Sequence, residues 1–114
     1  MPMAGITFKD TFFILESQRH SERLHFHELV HVAQWRRLGV DNFLRAYGVG
    51  LTQFGYQDSP LEQMAYALQS DFESDSLPSN LIDAIHESTD AIWTQVAPTL
   101  QHAGVDIHVG TITP

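Results

Sequence analysis

The chain has 114 residues, 43% of them hydrophobic, no cysteine and a formal net charge of −8. That length suffices for one domain with a modest core and is too short for two; lack of cysteine excludes disulfides and thiolate metal sites. The acidity argues against nucleic acid or an anionic membrane as partner, since each demands a basic face.

The charge is uneven. All six basic residues fall within the first 45 positions, and residues 46–114 carry nine acidic side chains and no Lys or Arg. A solvated acidic surface accounts for this. The start lacks a basic leader-type region and no apolar run reaches transmembrane length, so a cytoplasmic protein is expected.

In chain order, Ile6–Phe8 and Thr11–Leu15 are β-branched and aromatic, separated by the turn-favouring pair Lys9-Asp10. They predict one bent strand or a hairpin of two short strands. Ser21 is a natural N-cap for a long helix reaching about Leu38, with Arg36 and Arg37 in its last turn and Gly39 as its stop. Asp41 caps a second helix with an apolar stripe of Phe43, Leu44, Tyr47, Leu51 and Phe54. Gly48 and Gly50 each cost such a helix about 1 kcal/mol and predict an early end or a kink. Ser59-Pro60 opens a third helix, whose stripe is Leu61, Met64, Ala65, Leu68 and Phe72. A fourth starts at Ser79 or Asn80 and is stopped by Pro98. Val105–Val109 alternates like a short strand that would pair with the N-terminal one. The expected fold is α+β and mostly helical. It is a single domain over 1–114, with about four helices and a short N-terminal strand or hairpin packed on the first of them.

Within that first helix, His27-Glu28-Leu29-Val30-His31 reads His-Glu-x-x-His in an apolar setting. On a helix the two histidines are i and i+4, so both imidazoles share a face and can supply two nitrogens to a tetrahedral zinc ion. Glu28 lies beside them, suited to taking a proton from an activated water rather than to ligation. Two histidines seldom hold zinc alone, and a third donor must come from another element, because no histidine follows shortly after His31. Glu62 is the candidate, in the first turn of the third helix at the edge of its apolar stripe. Ser59-x-x-Glu62 is also a capping box, a competing use for the same carboxylate. Asp71, Glu73 and His86 are reserve ligands; His20, His25, His102 and His108 read as surface residues.

Together, His27–Gln34 and the segment Pro60–Ala67 resemble the gluzincins, zinc metallopeptidases with His-Glu-x-x-His on one helix and a glutamate ligand on a later one. More closely, they resemble small bacterial zincin-like domains of unassigned function that place a strand before the active helix. The likeness covers roughly residues 5–72. It implies one Zn2+ ion held by His27, His31 and Glu62. Glu28 would be general base for a metal-activated water attacking a peptide carbonyl, and Tyr56 a donor to the oxyanion. Many gluzincins carry an aspartate four residues after the glutamate ligand; Tyr66 stands there instead. The substrate implied is a peptide or protein. The alternative is a non-catalytic zincin-like domain used for metal binding or protein interaction.

Overall fold

A computed structural model describes residues 5–102. The elements are a hairpin of β1 (Gly5–Phe8) and β2 (Thr11–Ile14), a single 3-10 turn at Glu16–Gln18, and helices α1 (Glu22–Phe54), α2 (Pro60–Glu73) and α3 (Leu81–His102). The expected short strand or hairpin is a hairpin. Its strands are antiparallel, pairing Gly5 with Ile14 and Phe8 with Thr11, and Lys9 turns the corner in a left-handed conformation at φ 58°. The Val105–Val109 expectation lies outside the described residues.

The fold is mostly helical α+β, with three helices among the described residues rather than about four. The difference lies at Gly39. The helices expected on either side of it run together as α1, and Gly39 marks a kink with φ 79° and ψ 166°. That backbone conformation is essentially closed to residues with a Cβ. A straight helix of 33 residues would be about 50 Å long, beyond the 42 Å longest dimension of the molecule; the kink folds α1 back. No atom lies within 4 Å of where a Gly39 Cβ would stand, so the demand is purely conformational. Gly39→Ala is therefore expected to cost about 1–3 kcal/mol of stability, read as a lower urea midpoint at unchanged slope.

The early end expected from Gly48 and Gly50 does not occur. Their combined cost of about 2 kcal/mol is outweighed by burying Phe43, Ala46 and Val49 on this segment, where a large apolar side chain contributes about 1.5–3 kcal/mol. Gly50 also lets α1 pass close to α2: a Cβ there would stand 2.9 Å from that of Ser59. Pro98 likewise lies inside α3 rather than ending it: proline removes one hydrogen bond of the turn before it, and the packing of α3 on α1, with Val96 buried, carries the helix through.

α2 and α3 both pack on α1, and the hairpin packs against α1 as well. Two apolar clusters result. One gathers Trp35, Phe43, Ala46, Val49, Leu61 and Val96; the other gathers Val30, Ala65 and Ile85. Across the kink the rings of Trp35 and Phe43 stack with centroids 3.8 Å apart. Arg37, expected only to complement a helix dipole, reaches α3 and donates two bonds to Asp90, at 2.9 and 2.7 Å. No helix among the described residues is long and apolar enough to cross a membrane.

Candidate metal centre

α1 starts where its cap dictates: the Ser21 hydroxyl accepts from the Leu24 amide at 3.3 Å, satisfying one of the orphan donors of the first turn. The helical spacing then stacks His27 over His31 on the face covered by α2. Both rings are buried, and their Nε2 atoms lie 3.2 Å apart. Glu62, only 3% exposed, comes in from the first turn of α2. Its Oε1 is 3.0 Å from His27 Nε2 and 3.1 Å from His31 Nε2. The capping-box use of Glu62 is not adopted. The Ser59 side chain makes no capping bond and donates instead to the Tyr56 carbonyl at 3.0 Å.

The protonation of the two rings follows from their outer partners. Gln34 donates its amide nitrogen to the Leu61 carbonyl at 3.0 Å, which turns its amide oxygen toward His31 Nδ1 at 2.8 Å. Gln69 donates to the Glu73 carboxylate at 3.2 Å and turns its oxygen toward His27 Nδ1 at 3.0 Å. Carbonyl and carboxylate oxygens only accept, so both amides are oriented and each Nδ1 carries a proton. A ring that carries no second proton then presents a bare Nε2. Two ring nitrogens and a carboxylate oxygen thus converge within 3.2 Å, an arrangement that calls for a proton or a metal cation in its midst.

The donor set fits zinc. Tetrahedral bonds of about 2.0–2.2 Å place ligand atoms roughly 3.3–3.6 Å apart, within a few tenths of an ångström of the separations found here. Among the described residues, His27, His31 and Glu62 form a group able to hold a metal ion. Asp71, Glu73 and His86 do not join it. Glu73 instead accepts from Gln69 and faces Arg23 at 3.9 Å.

In the absence of metal a proton can occupy the same place. Burial alone would push the Glu62 carboxyl up, but hydrogen bonds and charge from His27 and His31 outweigh it and hold it at about 2. Burial likewise pushes the His31 imidazole down, and contact with Glu62 more than compensates, leaving it raised. A metal bound here would therefore compete with a proton for the same place, and its affinity would fall as pH is lowered.

Glu28 follows His27 on α1 and turns toward the hairpin. The Thr7 hydroxyl donates to its Oε1 at 2.7 Å, and a Cβ on Gly5 would stand 3.2 Å from its Oε2. A Cβ there would require the carboxylate, and the Phe13 carbonyl at the same distance, to give by a few tenths of an ångström. Two cavities flank this carboxylate, and Glu28 and Tyr56 border both. One, of about 250 Å³, opens on the His27 side beside Arg23, Tyr66 and Gln69. The other, of about 230 Å³, lies on the His31 side. Tyr56 is half-buried; burial, then the charge of Glu62, pushes its hydroxyl above the ordinary tyrosine value, so it remains a hydrogen-bond donor at neutral pH. Tyr66 packs its ring 4.7 Å from that of His27, while Gln69 orients that histidine.

The orienting pair Gln34 and Gln69, with Thr7 and Gly5 around Glu28, goes beyond the residues predicted from sequence. Gln34 follows His31 by three positions, a spacing that brings side chains together on a helix; nothing local marks Thr7. Removing an outer partner typically costs ten- to a hundredfold in metal affinity. Gln69→Leu, at the half-exposed edge of the site, is expected to weaken zinc binding by about that factor, measured by competition with a chromophoric chelator. In comparisons with known proteins the chain matches no family model, no curated protein and no solved structure.

Proposed function

We propose that the protein is a zinc-dependent metallopeptidase of gluzincin type, with one Zn2+ held by His27, His31 and Glu62. The observation that carries this reading is the convergence of three acceptor atoms from two helices, the two histidine tautomers set by Gln34 and Gln69, with a second buried acid, Glu28, alongside. Bound zinc supplies Lewis acidity, making a water molecule a competent nucleophile near neutral pH and polarising a carbonyl.

The chain's own groups do the rest. Glu28 takes the proton of the attacking water on the oxygen that Thr7 leaves free and returns it to the leaving amine. Thr7 keeps the carboxylate in one orientation. Tyr56, protonated and on the border of both cavities, donates toward the developing oxyanion. The cysteine-free composition suits the reducing cytoplasm.

Elemental analysis of the purified protein is the first test, with one zinc per chain expected. Cleavage of a mixed peptide library should then stop on chelation and return on adding zinc. Zinc well below one equivalent, with no uptake on reconstitution, would sink the reading.

A further inference from the structure

The two cavities beside Glu28 differ in chemistry. The one on the His27 side is bordered by Gln18, Ser21, Arg23 and Gln69. The one on the His31 side is walled by Ile6 and Phe8 of the hairpin, by Trp35 before the kink, and by Phe43, Leu44 and Tyr47 after it. Among the described residues that line it, the carboxylates are Glu28 and Glu62. Both are engaged, one by Thr7 and the other by the histidines.

Three of its wall residues are large apolar side chains left in solvent: Ile6 is 54% exposed, Phe8 55% and Leu44 39%. Exposed apolar groups scattered singly need no explanation, but a cluster around a concavity marks a binding surface. At about 230 Å³ it exceeds the roughly 150 Å³ apolar cavity that takes up benzene, so an aromatic or branched aliphatic side chain fits.

Resting on the metal-centre reading above, we infer that this cavity is a specificity pocket, which receives a large uncharged apolar side chain of the substrate next to the bond presented to the metal centre. The apolar part of the wall comes from three separate parts of the chain: the hairpin, the helix before the kink and the helix after it. Phe8 is set edge-on to Trp35 at 5.3 Å, and Trp35 is stacked on Phe43. The pocket thus abuts packed aromatic rings rather than a mobile loop.

The test reads binding rather than turnover. Zinc-loaded full-length protein is titrated calorimetrically with acetohydroxamate, 3-phenylpropanohydroxamate and an aminoalkyl hydroxamate of similar length, all sharing one metal-binding group. The phenyl compound is expected to bind at least about tenfold more tightly than acetohydroxamate, as burial of its ring implies; the cationic one should gain nothing. Leu44→Glu should abolish the advantage while leaving acetohydroxamate affinity unchanged. Ile6→Glu on the hairpin serves as a second variant should Leu44→Glu not fold. Equal affinities for the three compounds, or preference for the cationic one, would overturn the pocket while leaving the metal centre standing. Failure of the chain to take up zinc would overturn the metal-centre reading and the pocket with it, and failure of all three hydroxamates to bind the zinc-loaded protein would overturn the pocket alone.

Discussion

Glu28→Gln is expected to lower kcat/KM for peptide hydrolysis by about 10²–10⁴ while leaving zinc content at the wild-type level. The two halves of that expectation have separate physical origins. Glutamine keeps the shape of the side chain and still offers an oxygen to the Thr7 hydroxyl, which now stands 2.7 Å from Glu28 Oε1. The buried surroundings therefore stay satisfied and the fold is preserved. What disappears is the capacity to accept a proton, the one property that general-base chemistry asks of this residue. Paired assays of peptide turnover and bound metal on the same preparation check both halves. Unchanged turnover in the variant would remove Glu28 from the chemistry and favour a domain that binds metal or a partner without catalysis.

Zinc supplied at a hundred times its dissociation constant is expected to add about 2.7 kcal/mol to the stability of the wild-type fold. For a domain of this size that corresponds to a rise of roughly 10–20 °C in melting temperature. In Glu62→Gln the rise should vanish. The substitution acts twice on the same place. It removes the anionic donor that the metal requires, and with it the negative partner of the two histidines, now 3.0–3.1 Å away. The metal-free variant should melt below the metal-free wild type, because a carboxylate held at about 2 by the histidines contributes stability at neutral pH; the zinc-induced rise, not the metal-free melting point, therefore identifies the donor. Differential scanning fluorimetry with and without zinc reads all four states. An equal zinc-induced rise in wild type and variant would exclude Glu62 from the donor set.

How far the chain could be read before its structure depends on the range of the interactions concerned. His27 and His31 are legible because i and i+4 spacing is a local property of any helix. Ser21, Ser59-Pro60 and Asn80 mark helix starts for the same reason: caps act within one turn. Gly39 is half legible. Its need for a positive φ is local, but whether the chain then ends its helix or resumes it depends on what packs across the bend, here Trp35 on Phe43. Glu62 has two local readings, cap and ligand, and local spacing does not choose between them. The approach of α2 to α1 selects one. Thr7 is illegible, since its bond to Glu28 joins residues 21 positions apart and depends on how the hairpin lies over α1.

The hold on Glu28 has a practical consequence for handling the protein. The proposed metal donors belong to α1 and α2, whereas the hydroxyl that holds the buried Glu28 carboxylate, that of Thr7, belongs to β1. Ion retention and proton handling are thus anchored in different stretches of sequence. A substitution or a proteolytic nick in β1 falls next to the second and far from the first. On the proposed reading, a preparation altered there would carry its full complement of zinc and still be chemically silent, so metal content alone would not certify a competent sample.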